Sequence, residues 1–281
     1  MRKNKILAIH IILAICLIML TAAGCSSGQV AEEPEKPVEQ PEKPVEQPKP
    51  ESEEETEPEA EPEPEPPAIP APVQQPGENP AAGPKTELPV IADGDYLLAL
   101  VTKETTLKSD YIPSGLRAVP AHMKPSYSMQ LRAETLDQLE MLWQAAAYDG
   151  IELHIRSAYR SYSTQQGLYN DYVSRYGEEE ASRFSARPGQ SEHQLGTTVD
   201  FGGTSVDFKA AFADTAQGSW LAENAWYFGF AMSYPAGKEN ITGYIFEPWH
   251  YRYIGVDAAA EWKKSGLTLG EFLESKPQFY D

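Results

Sequence analysis

The sequence predicts an α+β domain built around a small antiparallel sheet, and three observations support this fold class. All five tryptophans of the 281-residue chain follow Asp93, so the hydrophobic core belongs to residues 93–281. In this region, short patterns typical of strands lie between longer patterns typical of helices. The sequence has neither a regular βαβ repeat nor a glycine-rich nucleotide-binding turn, features that would indicate a parallel sheet.

Helical spacing of apolar residues predicts the first two helices. One covers about Leu131 to Asp149 and is followed by Gly150, which is typical of the end of a helix. In the second, Ser163 and Gln166 have the form of a capping box, and the helix is predicted to end near Gly177. The remaining predicted helices are Ser219–Phe228 and Asp257–Lys264.

Alternation of apolar and polar residues predicts the strands. Residues 151–156 alternate with a period of two, which is typical of a half-buried strand. The other predicted strands are Thr198–Phe201, Phe230–Tyr234 and Trp249–Tyr253.

The first 24 residues have the organisation of a secretory signal peptide. Basic residues precede an apolar run from Ile6 to Leu20, which is short for a membrane span. Small residues then lead to Cys25 and give a processing site. This arrangement resembles the lipobox of bacterial lipoproteins, although Ala22 stands where leucine is usual. The resemblance implies that Cys25 is acylated, and ordinary signal cleavage is the alternative.

Residues 25–92 are predicted to be the lipidated cysteine followed by a disordered tether. Residues 31–90 contain 17 acidic residues, four lysines and 17 of the 24 prolines of the chain. Such a segment buries too little apolar surface to offset its conformational entropy, and its prolines and like charges extend it. The tether would hold the following domain out into the cell wall. A proline-rich recognition segment is the alternative.

The charge balance excludes one class of partner. The chain has 42 acidic and 23 basic residues and a net charge of −19. Nucleic-acid binding needs a basic surface that displaces counterions from phosphates. We therefore expect no nucleic-acid partner.

The side chains that suggest catalysis lie in two short segments of the chain. His193 and Asp200 lie in one of them, and Glu247 and His250 lie in the other. Two imidazoles and a carboxylate are a sufficient ligand set for a catalytic zinc ion, and a second carboxylate beside it has the chemistry of a general base. Taken singly, each residue also has a structural interpretation, as a loop histidine, a core histidine or a surface acid.

Three blocks of the predicted domain, Ser157–Gln165, Pro188–Asp200 and Glu247–Arg252, have an ordered arrangement of such residues. They resemble the three signature blocks of VanY-type D-alanyl-D-alanine carboxypeptidases, which are zinc peptidases of the bacterial cell wall. The resemblance extends over about residues 96–253. The fold that it implies is an α+β arrangement around a small antiparallel sheet, shared with the zinc-containing Hedgehog signalling domain.

The resemblance also implies a metal site and a catalytic base. Glu247 would be the base. The chain departs from the family pattern at Thr198, where alanine is common, and at Ala158, where glycine is usual, and neither change removes a functional group. The implied ligands of one zinc ion per domain are His193, Asp200 and His250.

Three further residues are implied to contact the substrate terminus or the developing oxyanion, namely Arg160, Gln165 and Ser191. A planar guanidinium suits either role, because it binds a carboxylate through two parallel hydrogen bonds. Each residue also has a structural alternative, as an ion pair after a strand, a first-turn helix residue or a turn residue. Glu192, next to His193 in the chain, either supports a metal ligand or is a solvated acid, and the sequence does not decide between these roles.

We therefore expect a zinc-dependent carboxypeptidase that removes the C-terminal D-alanine from peptidoglycan stem peptides. It would be a monomer, lipid-anchored to the outer face of the bacterial cytoplasmic membrane. An L,D-carboxypeptidase acting on tetrapeptide stems is the first alternative, followed by an endopeptidase and a non-catalytic wall-binding module. A serine penicillin-binding enzyme is disfavoured because the sequence has no S-x-x-K tetrapeptide.

Overall fold

The computed structural model describes residues 87–281. The predicted signal peptide, the lipidation of Cys25 and most of the predicted tether lie outside the described residues. The folded part begins slightly before the predicted boundary at Asp93, because Ile91 is buried and pairs with Tyr280 near the C-terminus. No helix within residues 87–281 has the length and the apolar character needed to cross a membrane.

The described chain contains six strands, seven α-helices and four 3-10 helices. The strands are β1 (Leu116–Ala118), β2 (Gln130–Arg132), β3 (His154–Ser157), β4 (Thr198–Gly202), β5 (Phe230–Met232) and β6 (His250–Tyr253). The α-helices are α1 (Ala133–Tyr148), α2 (Tyr162–Tyr176), α3 (Glu178–Phe184), α4 (Ala216–Asn224), α5 (Glu239–Thr242), α6 (Val256–Ser265) and α7 (Leu269–Glu274). Short 3-10 helices cover Ala121–Met123, Glu192–Leu195, Ala210–Asp214 and Ala225–Phe228.

The main sheet has four antiparallel strands in the order β3-β4-β6-β5, so the predicted α+β class is confirmed. Strands β1 and β2 form a separate antiparallel pair. The largest core cluster joins α1 to the main sheet, with Leu139 and Leu142 of the helix and Val199 and Phe201 of β4 fully buried. The sheet is therefore anchored on one side by α1, which leaves the opposite face of β4 and β6 available for other groups.

Several predicted boundaries differ from the structure for local reasons. The start of α2 is capped by Ser161, whose hydroxyl accepts a hydrogen bond from the Thr164 N–H at 3.2 Å, and the predicted capping box at Ser163 is wrong. Strand β3 begins at His154, three residues later than predicted, because Ile151 still donates its N–H to the Ala146 carbonyl and closes the end of α1.

The predicted helix at Ser219–Phe228 consists of two elements. Helix α4 starts earlier, at Ala216, where the Thr215 hydroxyl accepts from the Gly218 N–H. A 3-10 helix then covers Ala225–Phe228 and ends at Gly229, whose φ of 87° turns the chain into β5. Helix α1 begins at Ala133, two residues later than predicted, and β5 ends at Met232, two residues earlier than predicted. The sequence patterns did not predict β1, β2, α3, α5, α7 or the 3-10 helices that precede β2, β4 and α4.

Candidate active site

The register of the main sheet brings two predicted metal ligands together. Asp200 of β4 lies directly opposite His250 of β6, and His250 Nδ1 is 3.1 Å from Asp200 Oδ1. His193 comes from the 3-10 helix before β4, and its Nε2 is 3.2 Å from Asp200 Oδ2. Gly196 ends this helix with a φ of 69°, which lets the chain turn into β4. One potential ligand atom from each of the three residues lies within 4.8 Å of the others.

Each histidine has one ring nitrogen held by the protein and the other facing this cluster. His193 Nδ1 lies 2.7 Å from the Ala158 carbonyl oxygen, so it donates and leaves the Nε2 lone pair for a ligand. His250 Nε2 lies 2.9 Å from Glu192 Oε2, which leaves Nδ1 to face the cluster. This is the usual way in which proteins orient metal-binding imidazoles. Two imidazole nitrogens and one carboxylate form a donor set that fits zinc.

Glu192 is a buried carboxylate that supports His250 through the ring nitrogen that faces away from the cluster. It also accepts hydrogen bonds from the Ser233 hydroxyl at 2.6 Å and from Arg252 Nη1 at 3.1 Å. Arg252 is itself fully buried, and its Nη2 donates to the Leu97 and Ala99 carbonyls. Burial opposes ionisation, but His250, Arg252 and Ser233 together lower the pKa of Glu192 to about 2. Glu192 is therefore not a solvated acid, and its hydrogen bond supports His250, a candidate metal ligand.

The electrostatics of the cluster favour a bound cation. Burial disfavours the charged ring, but the carboxylates of Asp200 and Glu192 on either side raise the pKa of His250 to about 10. Burial also opposes the ionisation of Asp200, but the neighbouring histidines hold its pKa well below the usual value. In the absence of metal, a proton on His250 Nδ1 thus compensates the buried negative charge. A divalent cation would displace that proton, as is general for metal binding to histidine.

Glu247 lies beside the cluster in the turn that enters β6. Its N–H donates to the Tyr234 carbonyl, its carbonyl accepts from the His250 N–H, and Glu247 Oε2 is 3.6 Å from His250 Nδ1. Burial raises the pKa of Glu247 to about 8, and the nearby charge of His250 only partly opposes this. A carboxyl with a pKa near neutrality can both accept and return a proton.

Arg160 is fixed at the edge of the cluster by two side chains. Its Nη1 donates to Gln165 Oε1 and its Nη2 donates to Ser157 Oγ, both at 2.9 Å. Gln165 is buried, and its Nε2 donates to the Ala186 carbonyl at 2.7 Å. Both ends of the Gln165 amide are thus hydrogen-bonded within the protein, and its oxygen accepts from the guanidinium.

Ser191 caps the 3-10 helix that carries His193. Its hydroxyl oxygen accepts from the His193 N–H at 3.3 Å, and the side chain is buried. It lines a cavity of about 100 Å³ together with Arg160 and Glu247. All predicted site residues of the domain therefore surround or border one cavity.

Three tyrosines, Tyr172, Tyr234 and Tyr244, also line this cavity, although the sequence assigned them no site role. Tyr234 stacks at a tilt against His250, with ring centroids 4.8 Å apart. The Tyr244 hydroxyl is buried and has no hydrogen-bond partner among residues 87–281, and its ring packs under the Lys103 ammonium group. The position of Tyr244 three residues before Glu247 was the available signal, but the high tyrosine content of the domain gave no way to distinguish it.

The chain is similar to known proteins in sequence and in fold. A family model described as VanY, D-alanyl-D-alanine carboxypeptidase, matches residues 128–256. The YodJ protein of Bacillus subtilis (strain 168) is 39% identical over 192 residues, which are 66% of this chain and 70% of YodJ.

Two solved structures are also similar. The LdcB LD-carboxypeptidase is 38% identical with a TM-score of 0.63, and the match covers 68% of this chain and 91% of that protein. A variant of the D,D-pentapeptidase VanY from a VanB-type vancomycin resistance cassette, solved with Zn(II), is 32% identical with a TM-score of 0.54. That match covers 63% of this chain and 99% of that protein.

Proposed function

This chain belongs to the VanY family of D-alanyl-D-alanine carboxypeptidases, and from that premise we propose that it removes the C-terminal D-alanine from peptidoglycan stem peptides in a zinc-dependent reaction. The observation that carries the proposal is the convergence of His193 Nε2, His250 Nδ1 and the Asp200 carboxylate, with the Glu247 carboxyl beside them. We propose one zinc ion per domain, held by these three ligands. When bound, zinc supplies Lewis acidity, which polarises a carbonyl group and lowers the pKa of water.

The proposed role of Glu247 follows from its position and its pKa. The carboxylate takes a proton from the attacking water and delivers it to the departing D-alanine nitrogen. A cation at the neighbouring site would favour the ionised form of Glu247 and so offset the effect of burial. Glu247 then acts first as a base and afterwards as an acid within one turnover.

Arg160 is proposed to bind the negative charge of the substrate. An exopeptidase must recognise the free carboxylate of a chain end, and a guanidinium fork matches a carboxylate in geometry. The same group is also suited to the negative charge that develops on the carbonyl oxygen during attack. Gln165 and Ser157 hold the guanidinium in a fixed orientation, so less conformational entropy is lost when the substrate binds.

The remaining predicted contacts divide into two kinds. We propose that Gln165 acts through Arg160, because both ends of its amide are already hydrogen-bonded within the protein. Ser191 contributes its hydroxyl to the cavity wall and can donate to the substrate, because its oxygen accepts only from a backbone N–H. The Tyr244 hydroxyl is a further proposed donor, since it lines the same cavity without a partner among the described residues.

An L,D-carboxypeptidase is the second candidate. The similarity to LdcB, which extends over 91% of that protein, favours it, and the ligand set proposed here serves either reaction. The two activities differ in the stereochemistry of the penultimate residue.

The site of action follows from the family. Cell-wall peptidases act outside the cytoplasm, and we propose that lipidation of Cys25 and the segment up to residue 92 place this monomeric domain within reach of the wall. The stem peptide is the proposed partner, and the lipid is the proposed means of membrane contact.

Mass spectrometry of synthetic stems tests the proposal. The full chain is incubated with tetrapeptide and pentapeptide stems, with zinc and with a chelator. Zinc-dependent loss of one alanine from the pentapeptide is the expected result. Loss from the tetrapeptide alone would favour the L,D reaction, and no loss from either by protein that contains stoichiometric zinc would overturn the carboxypeptidase assignment.

A further inference from the structure

Lys103 is a half-buried lysine whose ammonium group joins two parts of the chain that border the catalytic cavity. Its Nζ donates to the Ser182 carbonyl at 2.7 Å and to the Gly243 carbonyl at 2.6 Å. Ser182 lies in the last turn of α3 and Gly243 directly follows α5, and carbonyls at helix ends lack a partner within the helix. The lysine therefore pairs backbone acceptors that two short helices leave unsatisfied.

Both of these segments continue into the wall of the catalytic cavity. Residues 184–186 continue one segment and Tyr244 continues the other, and all of them line the cavity. Between the segments, the Ile245 N–H donates to the Arg183 carbonyl at 2.9 Å. The two walls thus lie side by side, and Lys103 forms a second link between them.

The ammonium group of Lys103 also contacts the ring of Tyr244. Its Nζ lies 4.5 Å from the ring centroid, which is within the range of a cation–π interaction. A Cβ atom at Gly243 would lie 3.0 Å from Lys103 Cδ, so the missing side chain permits this close approach. The Tyr244 ring packs against Tyr234 with centroids 4.7 Å apart, and Tyr234 packs against His250. Two ring contacts therefore connect the wall that Lys103 holds to a candidate metal ligand.

The backbone of Lys103 fixes a third part of the wall. Its carbonyl accepts from Gln190 Nε2 at 2.6 Å. Gln190 is buried and directly precedes Ser191, which lines the cavity. Lys103 lies outside the three blocks that carry the family resemblance, and only the folded structure brings it to three pieces of the cavity wall.

We propose that Lys103 is a positioning residue that holds the α3 wall and the Tyr244 wall of the catalytic cavity at the separation that the stem peptide requires. Hydrogen bonds from a charged donor are stronger than those between neutral groups, and partial burial strengthens them further. The walls are then in place before the substrate binds, so less conformational entropy is lost on binding. The identity of the peptide that Lys103 helps to bind rests on the proposed function.

Calorimetric titration of stem peptides into the zinc-loaded full chain tests this role. The parent protein is Glu247→Gln, which should not cleave the peptide during the titration, and the probes are the tetrapeptide and pentapeptide stems. Adding Lys103→Met removes the charged donor and keeps a side chain of similar length. We expect Kd for the more tightly bound stem to rise about tenfold, with zinc content unchanged.

Two further variants complete the comparison. Lys103→Arg keeps a charged donor and should recover part of the lost affinity. Lys264→Met, at an exposed lysine of α6, is the matched control and should leave Kd unchanged.

Hydrogen–deuterium exchange shows where Lys103→Met acts in the chain. We expect faster amide exchange in residues 182–186 and 243–247 and unchanged exchange in α1. Faster exchange that extends to α1 would show a general loss of stability in place of a loss of positioning, and would overturn the proposal.

Binding and cleavage together separate this proposal from the proposed function. Equal Kd values for the parent and for Lys103→Met would overturn the positioning role, even if the wild type cleaves a stem peptide. Weaker binding by Lys103→Met, when the zinc-loaded wild type cleaves neither stem, would instead overturn the carboxypeptidase assignment and leave the positioning role in place. Failure of the parent to bind either stem would overturn both.

Discussion

Two groups of buried polar side chains near β6 differ in how they are compensated. In the catalytic cavity, Glu192, Asp200 and His250 are buried charges within hydrogen-bond or ion-pair distance of one another. The Tyr251 hydroxyl of β6 and the Trp262 indole of α6 are instead neutral donors without a hydrogen-bond partner among the described residues. A buried charge must be compensated for the protein to fold, whereas a neutral donor left unpaired costs only about 1–3 kcal/mol.

This difference indicates which substitutions should affect the chemistry and which should not. Changes in the charged network should alter turnover, metal affinity or the dependence of stability on pH. Changes to the unpaired donors should leave turnover and metal affinity unaltered and should not destabilise the protein. The predictions below test this distinction, starting with the largest expected effect.

Glu247→Gln should abolish most of the activity and preserve the metal site. The amide cannot take a proton from water, so we expect kcat on the cleaved stem peptide to fall by about 10²-fold or more. Zinc content, measured by elemental analysis, should remain equal to that of the wild type, because Glu247 is not one of the proposed ligands. Near-native turnover by this variant would remove the assignment of the base.

Glu192→Gln should weaken zinc binding without removing a ligand. The amide is a weaker acceptor for His250 Nε2–H and leaves Arg252 Nη1 without its carboxylate, so we expect zinc affinity to fall about 10- to 100-fold. Competition with a chromogenic chelator measures this effect. Glu152→Gln, at an exposed carboxylate, is the matched control and should bind zinc as the wild type does; equal affinities of both variants would contradict the supporting role of Glu192.

Gln165→Ala should impair substrate binding more than metal binding. Without the Oε1 acceptor, the Arg160 guanidinium loses the hydrogen bond that its Nη1 donates to Gln165, and we expect KM for the stem peptide to rise about tenfold with zinc content unchanged. Gln165→Glu keeps an acceptor at the same position and should recover part of the loss. A variant in which kcat and KM both match the wild type would show that Arg160 does not depend on Gln165.

The stability of the metal-free protein should depend on pH, and bound zinc should offset the loss of stability at higher pH. The pKa of His250 is raised to about 10 and that of Glu247 to about 8. The stability that protonated His250 contributes is present below about pH 6.5 and is lost as the pH rises through about 10, and ionisation of buried Glu247 is destabilising from about pH 4.5 upward.

Ionised Glu192 acts in the opposite direction. Its pKa is lowered to about 2, so its contribution is present above about pH 4.5 and is lost as the pH falls towards 2. Burial lowers the pKa of His193, so this residue destabilises the fold below about pH 6.5 and opposes the effect of Glu247 there. We therefore expect this site to favour the metal-free fold most between about pH 4.5 and 6.5, and the increase of Tm on adding zinc to grow above that range. Calorimetry of the protein with chelator and with zinc measures Tm as a function of pH. Metal-free Glu247→Gln is the control, and its Tm should depend less on pH. An increase of Tm with zinc that is independent of pH would contradict the prediction.

Tyr251→Phe should have the smallest effect on the free protein. The hydroxyl has no hydrogen-bond partner among the described residues, so its removal breaks no hydrogen bond and should raise the free energy of unfolding by at most about 1–3 kcal/mol. Chemical denaturation measures this value. A loss of stability would show that the hydroxyl is paired in the free protein and would weaken the contrast between the charged network and the unpaired donors.

The sequence predicted the α+β class and the core elements because they rest on local patterns. The helical spacing that ends at Gly150 predicted the bounds of α1 to within two residues, and the strand patterns predicted the bounds of β4 and β6 to within one residue. The short helix α7 was missed although Thr268 and Glu271 form a capping box there, because only six residues follow the cap and no long periodic pattern accompanies it. Helix α5 has four residues, which is too few for a hydrophobic period to be visible.

The sequence by itself determined which side chains are available for catalysis, since the types of residue that bind zinc and move protons are fixed by their chemistry. Only the tertiary structure decided how these side chains are used. Ala158 lies 35 residues from His193 and Glu192 lies 58 residues from His250, and these distant contacts select the ring nitrogen that each histidine presents. The same holds for Gln165, whose contacts with Arg160 and Ala186 make it a support. Hydrogen-bond partners of this kind depend on packing between separate elements, and no local pattern in the chain specifies that packing.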